Sequence, residues 1–313
     1  MEMERILVVG AGAMGCFFAA RLAEVGVDVA LIDVDDSRLA ALARDGVTVD
    51  DDRGRRTIPV PASRSVAVSL PADLIVVFTK GTHTAAAAAS VAHLVRPDTL
   101  ALTLQNGIGN AEAIAATIDP ARILVGVTDI PCDLKGPAEV ASHGAGRIQL
   151  GGQRGGASPE AAEAVASLLQ RAGLVAVADP SIGAAIWEKV AFNAAMNALC
   201  TVTGLTVGGL DVDPGHRLIA SVISEVAAVA AAGRTPVDTG RILGKIDNAL
   251  ATHRSHKPSM LQDRLAGRPT EIETINGAVV QAAKHVGLDA PVNRTLADLV
   301  RLIETAANQE ASA

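Results

Sequence analysis

The sequence predicts an α/β protein: an N-terminal, doubly wound, mainly parallel sheet followed by a C-terminal all-helical domain. Two observations predict this architecture. Apolar runs typical of buried strands alternate with helical patterns through the first half of the 313 residues, and βα units of this length favour parallel pairing. Beyond Asp179-Pro180 no strand pattern follows. We therefore expect one domain over residues 1–179 and a second over residues 180–313.

The first βα unit carries a glycine-rich turn. Arg5–Val9 is a buried-strand pattern that runs into Gly10-Ala11-Gly12-Ala13-Met14-Gly15 and then into a helical pattern. This is GxGxxG between a strand and a helix, the context that the dinucleotide-binding motif requires. Gly10 suits the tight turn, Gly12 the approach of a pyrophosphate, and Gly15 close helix–strand packing. We expect a Rossmann-type domain that binds a dinucleotide at the helix N-terminus.

The second strand ends in an acid that bears on cofactor choice. Asp28–Ile32 leads into Asp33, eighteen residues past Gly15. An acid at this point accepts hydrogen bonds from the adenosine ribose and repels a 2′-phosphate. Arg38 is a nearby cation that pairs well with phosphate. We expect NAD(H) to be favoured over NADP(H).

Later strands complete the predicted sheet and its insertions. Three apolar strand patterns follow in order, at Leu74–Phe78, Thr99–Leu104 and Ile123–Val127, and a last one at Val175–Val177. A hairpin is expected over residues 47–60 around Asp51-Asp52-Arg53-Gly54. A second hairpin is expected between Val140 and Arg147–Leu150, which flank a glycine-rich turn.

Two polar residues follow the ends of predicted parallel strands. Lys80 comes after one strand and Asn106 after the next, at the edge where such sheets gather ligand contacts. Alternatively, Lys80 is a plain surface lysine. Asn106-Gly107 could likewise simply form a turn, because Asn and Gly both tolerate a left-handed backbone.

The segment WEKVAFNAAMNALC in the second half places polar groups at helical spacing. Lys189, Asn193 and Asn197 recur every four residues among apolar neighbours, so one ammonium and two carboxamides share one helix face. Buried polar groups need partners. We therefore expect this stripe to face a cleft that holds a polar ligand, where the strand ends and this helix meet.

The remaining helices are expected at about 182–203, 214–232, 239–252, 259–266, 271–286 and 293–307. Ser259 suits a helix N-cap, and Thr270 with Glu273 has the form of a capping box. Glu271 is then a first-turn carboxylate stabilised by the helix dipole. His253 and His256 have no third ligand in the sequence, so we expect no metal site.

Composition narrows the function classes. A net charge of -7 argues against a nucleic-acid partner, and Cys16, Cys132 and Cys200 show no paired spacing, which suits reduced thiols in the cytoplasm. The N-terminus lacks the basic region of a signal peptide. The apolar run Leu218–Ala232 is too short to span a bilayer. We expect a soluble cytoplasmic protein without a membrane partner.

The separate motifs together resemble those of the ketopantoate reductase (2-dehydropantoate 2-reductase) family over nearly the whole chain. They are GAGAMG, Gln105-Asn106-Gly107, WEKVAFNAAMN, PSMLQD and PTEIETINGAV, in that order. The resemblance implies a dinucleotide-binding domain, a helical substrate-binding domain, and a homodimer. It also implies hydride transfer from a nicotinamide cofactor to the C2 carbonyl of a 2-oxo acid, which for ketopantoate gives D-pantoate.

The resemblance also assigns roles to individual residues. Lys189 corresponds to the family's catalytic lysine and acts as general acid, and Glu271 corresponds to its substrate-contacting glutamate. Asn193, Asn197 and Ser259 fall on substrate-binding positions, while Asn106 and Lys80 match positions near the nicotinamide and the substrate.

Two departures from the family pattern keep alternatives open. Biosynthetic members usually carry a basic residue just past the second strand, whereas this chain has Asp33-Val34-Asp35-Asp36. The segment Thr128–Asp133 is unusually acidic and contains proline. One alternative is an NAD-dependent D-2-hydroxy-acid dehydrogenase of the same family with another bulky substrate. Others are a non-catalytic NAD-sensing protein and a 3-hydroxy-acid dehydrogenase, which the PSMLQD and TEIETING segments disfavour.

Overall fold

A computed structural model of the protein describes residues 3–153 and 155–312. The chain divides into two compact units. The sheet unit comprises the chain up to Gln105 together with Asn110–Ile182, and the helical unit comprises Asn106–Gly109 together with the chain from Gly183 onward. The four-residue segment Asn106–Gly109 thus belongs to the helical unit, although it follows a strand of the sheet unit.

The sheet unit contains twelve strands among its described residues. They are β1 (Arg5–Val9), β2 (Asp28–Ile32), β3 (Val47–Asp51), β4 (Gly54–Ile58), β5 (Ala62–Ser63), β6 (Leu74–Val77), β7 (Leu100–Thr103), β8 (Ile123–Thr128), β9 (Asp133–Gly136), β10 (Glu139–Ser142), β11 (Arg147–Gly152) and β12 (Val175–Ala178). Its helices are α1 (Ala13–Ala23), α2 (Asp36–Asp45), α3 (Thr84–Ser90), α4 (Asn110–Ile114) and α5 (Pro159–Arg171).

The main sheet has eight strands in the order β12-β11-β8-β7-β6-β1-β2-β5. All neighbouring strands are parallel except β8 and β11. The central strands β1, β6 and β7 are almost entirely buried, as expected of parallel strands whose two faces are both covered. The predicted doubly wound, mainly parallel sheet is confirmed.

A second sheet, ordered β4-β3-β10-β9, holds the insertions. The predicted hairpin over residues 47–60 is confirmed by the antiparallel pairing of β3 with β4. The predicted second hairpin is wrong, because β10 pairs with β3 and β9, whereas β11 pairs with β8 and β12. Gly144, at φ 93°, lies in the link that carries the chain from one sheet to the other. The acidic Thr128–Asp133 segment likewise links β8 to β9.

The helical unit is built from α6 (Ile182–Thr203), α7 (Asp213–Ala232), α8 (Thr239–Thr252), α9 (Ser259–Leu265), α10 (Ala278–His285) and α11 (Pro291–Ser312). A π-helical turn, Glu273–Gly277, precedes α10. No strand occurs in the part of this unit that the structure describes, as the sequence predicted.

Helix α7 extends beyond the apolar run Leu218–Ala232 and begins within one residue of the predicted helix 214–232. It starts at Asp213 and spans 20 residues, so by length and composition it alone among the described helices qualifies as a possible membrane span. Buried core helices pass the same test. Residues Ile219, Val222 and Val226 of α7 are at most 2% exposed. The Glu225 carboxylate accepts the backbone N–H groups of Val292 and Asn293, which anchors α7 to the start of α11.

Candidate active site

The three glycines of the GAGAMG turn differ in what requires them. Gly10 has φ 102°, and a Cβ there would lie 2.7 Å from the backbone nitrogen of Thr79. A Cβ on Gly15 would lie 1.9 Å from the carbonyl oxygen of Gly10. At Gly12 a Cβ would meet no atom of the protein within 4 Å. The fold therefore requires Gly10 and Gly15, whereas the space beside Gly12 is open, as the approach of a pyrophosphate would need.

Helix α1 begins at this turn without a side-chain cap. Its N-cap residue is Gly12, and no side chain hydrogen-bonds to the helix start. The first turn of a helix has backbone N–H groups without intrahelical partners, and here they belong to Ala13, Met14 and Gly15. Together with the helix dipole they form a site suited to an anionic phosphate. The residues present fit a dinucleotide.

Asp33 is held by the backbone around it. Its Oδ2 accepts the N–H of Ala11 at 2.6 Å, and its Oδ1 accepts those of Val34 at 2.7 Å and Asp35 at 3.0 Å. An ionised carboxylate has about four acceptor positions, so one position at Oδ2 stays available for a ribose hydroxyl. Asp33 thus shapes the glycine turn and places its carboxyl group beside it.

Arg38 lies over the same turn. Its Nη1 donates to the carbonyl oxygen of Ala11 at 2.8 Å, so the guanidinium lies close to the glycine turn rather than out in solvent. Arg64, in turn, pairs with Asp36 at 2.7 Å. Two arginines, Arg38 and Arg64, therefore lie near the acidic segment after β2. The contact of Arg64 could not be predicted, because Arg64 is far from Asp36 in the sequence.

The ends of β6 and β7 are joined by Gln105. Its Nε2 donates to the Thr79 carbonyl at 2.6 Å and to Thr84 Oγ1 at 2.9 Å. Lys80 is part-buried and directly precedes a short 3₁₀ turn, Gly81–His83. Gln105 was not among the predicted site residues, although it directly precedes Asn106 in the sequence.

The Asn106–Gly109 segment is fastened to the Glu271 region of the helical unit. Asn106 Nδ2 donates to Glu271 Oε2 at 3.0 Å, and Ile108 N–H donates to the Thr274 carbonyl at 3.0 Å. Gly107 has φ 86°, and a Cβ there would lie 2.0 Å from the Thr274 oxygen. Asn106 and Glu271, 165 residues apart in sequence, therefore form one polar cluster.

Helix α6 carries the polar stripe as the spacing predicted. Lys189 and Asn193 are part-buried, whereas Asn197 is 5% exposed. Every residue from Ala194 to Cys200 is buried, so the stripe runs from an accessible end at Lys189 into the interior. Glu188 next to it is also 5% exposed and pairs with Arg241 at 2.8 Å and Lys245 at 3.6 Å on α8. These ion pairs between a buried carboxylate and two exposed cations were missed, although a carboxylate in an apolar helix was a signal for them.

Two predictions about helix starts are wrong. Ser259 is the first residue of α9, the N-cap is Pro258, and no side chain caps this helix; the Ser259 residue is exposed. The capping box is not formed, since Glu273 pairs with Arg301 at 2.6 Å and Thr270 N–H donates to Glu304. The Arg301 hydrogen bonds also lower the pKa of the Glu273 carboxyl.

Asn276 is a buried residue that sequence reasoning missed. It is fully buried within the π-helical turn, and its Nδ2 donates to the Ala194 carbonyl at 3.0 Å and to Asn293 Oδ1 at 3.1 Å. Ala194 follows Asn193 on α6, so this bond reaches the middle of the polar stripe. The only sequence signal was a carboxamide within the apolar run INGAVV.

The described residues give little support to a metal site or to a cysteine nucleophile. They contain no group of three or more His, Cys, Asp or Glu side chains placed to hold a metal ion. Burial raises the pKa of each thiol, Cys16, Cys132 and Cys200, to about 12, so these thiols stay protonated near neutral pH and are poor nucleophiles.

Comparisons with known proteins match both units. The family model described as "Ketopantoate reductase PanE/ApbA" matches residues 6–155, and its C-terminal counterpart matches residues 181–304. A 2-dehydropantoate 2-reductase of Streptococcus pyogenes is 30% identical over 305 residues, covering 97% of this chain and 99% of the relative. One from Archaeoglobus fulgidus is 33% identical over 308 residues, with coverage of 97% and 99%.

Solved structures agree with these relatives. The 2-dehydropantoate 2-reductase of Geobacter metallireducens has a TM-score of 0.86 at 32% identity, covering 95% of this chain and 99% of that one. The ternary structure of D-mandelate dehydrogenase with NADH and anilino(oxo)acetate has a TM-score of 0.91 at 30% identity, with coverage of 97% and 99%. With both family models matched in order along its length, this chain belongs to the ketopantoate reductase family.

Proposed function

We propose that the protein is a 2-dehydropantoate 2-reductase that reduces ketopantoate to D-pantoate with a nicotinamide cofactor. The observation that carries this proposal is the stripe of Lys189, Asn193 and Asn197 on α6. An ammonium and two carboxamides on one helix face suit a 2-oxo acid, which presents a carboxylate and a ketone side by side. The sheet unit binds the cofactor through Gly10–Gly15, and the helical unit binds the 2-oxo acid.

Lys189 acts as the general acid. When bound, the nicotinamide supplies a hydride to the C2 carbonyl carbon. As negative charge develops on the carbonyl oxygen, the Lys189 ammonium stabilises it and donates a proton to it. Asn193 and Asn197, with Ser259, hold the carboxylate and orient the ketone.

Glu271 and Asn106 complete the substrate site. Glu271 Oε2 accepts a hydrogen bond from Asn106 Nδ2 at 3.0 Å, and the two oxygens of an ionised carboxylate can accept several hydrogen bonds. We assign one of these to the hydroxyl group of ketopantoate. Asn106 and Lys80 contact the nicotinamide side of the bound reactants.

A second candidate of the same family is an NAD-dependent D-2-hydroxy-acid dehydrogenase with another bulky 2-oxo acid. Two observations favour it: the likeness to D-mandelate dehydrogenase, with a TM-score of 0.91, and the acid Asp33 after β2. For both candidates we propose that NAD(H) is favoured over NADP(H). We also propose that the protein is a cytoplasmic homodimer, in which residues 180–313 form the domain for substrate binding and dimerisation.

A hypothesis from another class of function is a non-catalytic NAD-sensing protein.

Substrate preference separates the candidates. We expect NADH-dependent reduction of ketopantoate. Its kcat/KM should be higher than that for the phenyl-bearing 2-oxo acid that corresponds to mandelate, because Glu271 can accept a hydrogen bond from the hydroxyl group of ketopantoate. Steady-state kinetics on both substrates measure the ratio. The reverse preference supports the second candidate, and tight NADH binding without turnover of any branched 2-oxo acid supports the sensor.

Removal of the ammonium should slow the reaction itself. We expect Lys189→Ala to lower kcat by about 10²–10⁴-fold, the usual contribution of a positioned proton donor, with NADH affinity unchanged. Lys284→Ala, at an exposed lysine of α10, is the matched control and should keep wild-type kcat. A Lys189→Ala enzyme with full kcat would remove the proposed acid.

The acid after β2 should set cofactor preference. We expect Asp33→Ala combined with Val34→Arg to shift the NADPH/NADH ratio of kcat/KM toward NADPH, since a charge that repels the 2′-phosphate is replaced by one that attracts it. Because Asp33 also holds the Ala11 N–H, affinity for both cofactors should fall in Asp33→Ala alone. An unchanged ratio in the double variant would leave Asp33 with the structural role only.

A further inference from the structure

A relay of side chains, part-buried at Glu225 and fully buried at Asn293 and Asn276, crosses the helical unit from α7 to α6. It runs from Glu225 on α7 through Asn293 on α11 and Asn276 in the π-helical turn to the Ala194 carbonyl of α6. The three hydrogen bonds measure 2.8, 3.1 and 3.0 Å. Asn276 and Asn293 are both 0% exposed, so water does not compete for these groups at the surface.

Both carboxamides have a single possible orientation. The Ala194 carbonyl and the Glu225 carboxylate, at the two ends, are acceptors only. Asn276 must therefore direct Nδ2 toward Ala194, and Asn293 must direct Nδ2 toward Glu225 and Oδ1 toward Asn276. Glu225 is fixed in turn by the N–H groups of Val292 and Asn293 at 2.8 and 2.9 Å. The relay thus links the backbone of α6 at Ala194 to α7 at Glu225 through two side chains of fixed orientation.

The relay meets α6 within the polar stripe. Ala194 lies five residues after Lys189, directly after Asn193 and three before Asn197. Asn276 itself lies five residues after Glu271, and the turn between them begins on the Glu271 carbonyl, which accepts the N–H of Ile275 at 3.1 Å. One buried side chain therefore connects the backbone of the Lys189 helix to the segment that carries Glu271.

The relay retains polar groups where packing alone would favour apolar ones. Asn276 Oδ1 is buried and makes no hydrogen bond within the described residues, which is a cost to stability. A buried polar network is often less stable than an apolar core of the same shape, but it specifies one arrangement of the elements that it joins. Asn276 lies in the π-helical turn Glu273–Gly277, and this rare geometry is often found at functional sites.

We propose that Asn276 is a positioning residue for the reaction. Its carboxamide fixes the axial position and rotation of α6 relative to the Glu271 segment, so that the Lys189 ammonium and the Glu271 carboxylate address the same 2-oxo acid. This inference rests on the proposed function, because it acts through Lys189 and Glu271. Asn276 touches neither substrate nor cofactor.

The first test replaces the carboxamide by an apolar group of similar size. We expect Asn276→Leu to lower kcat by roughly 10²-fold, the effect of about 1 Å of misplacement, while the dissociation constant of NADH stays at the wild-type value. Should this variant fold poorly, Asn276→Leu combined with Asn293→Leu replaces both buried partners and is expected to fold, since removal of both ends of a buried hydrogen bond leaves less unsatisfied.

The second test separates positioning from stability. Ile246→Ala, a cavity in α8 at a residue 1% exposed, is the control for lost stability and should keep wild-type kcat at temperatures where it is folded. In a Lys189→Ala background the Asn276 substitution should lower kcat by less than 3-fold, because the group that it positions is gone. A purely structural role would give the same fold-loss in both backgrounds.

The outcomes distinguish this inference from the function on which it rests. If the wild-type protein reduces no 2-oxo acid, the proposed function fails and this inference fails with it. If the wild type is active and Lys189→Ala is impaired, but the folded Asn276 variant keeps wild-type kcat, the function stands and the positioning role is overturned. Equal losses in both Lys189 backgrounds also overturn it.

Discussion

The cost of placing polar groups inside an apolar helix is the constraint on which the helical unit depends. Every residue of helix α6 from Ala194 to Cys200 is buried, including Asn197, whereas Asn193 and Lys189 are part-buried. Such groups are tolerated only where partners or a ligand meet them. The surrounding elements hold the backbone of the same helix: Asn276 donates to the Ala194 carbonyl and Arg264 of α9 donates to the Thr201 carbonyl.

In the sheet unit the corresponding constraint is that the backbone of the glycine turn must be able to approach the pyrophosphate of a dinucleotide. Gly10 and Gly15 let strand, turn and helix pack, and Gly12 leaves the approach to the turn open. Asp33 ties the turn to the end of β2 through Ala11. The proposed preference for NAD(H) therefore rests on the same carboxylate that shapes the glycine turn.

Much of the fold could be predicted because local pattern and tertiary role agree. The bounds of β1 and β2 match the predicted segments, since each is a strongly apolar run between clear breaks. The predicted hairpin around Gly144 failed because a strand–turn–strand pattern does not say which partner each strand takes. The capping box failed because Glu273 found a stronger partner, Arg301, 28 residues away. Tertiary contacts overrode local rules in both cases.

In the helical unit, periodicity indicated only part of the polar network. Four-residue spacing identified Lys189, Asn193 and Asn197, whereas Asn276, Asn293 and Glu225 are scattered over three elements with no common spacing. Their role exists only once α6, α7 and α11 pack together. For the same reason the pairing of Asn106 with Glu271 was out of reach of pattern analysis.

We propose that the Lys189 ammonium acts on the carbonyl oxygen that becomes the alcohol. A crystal structure of the protein with oxidised cofactor and the 2-oxo acid, a pair that cannot react, would show this contact. We expect Lys189 Nζ within hydrogen-bonding distance, about 2.7–3.2 Å, of the C2 carbonyl oxygen, with Asn193 or Asn197 on the carboxylate side. If other groups held the carbonyl oxygen and Nζ were directed away from it, Lys189 would not be the general acid.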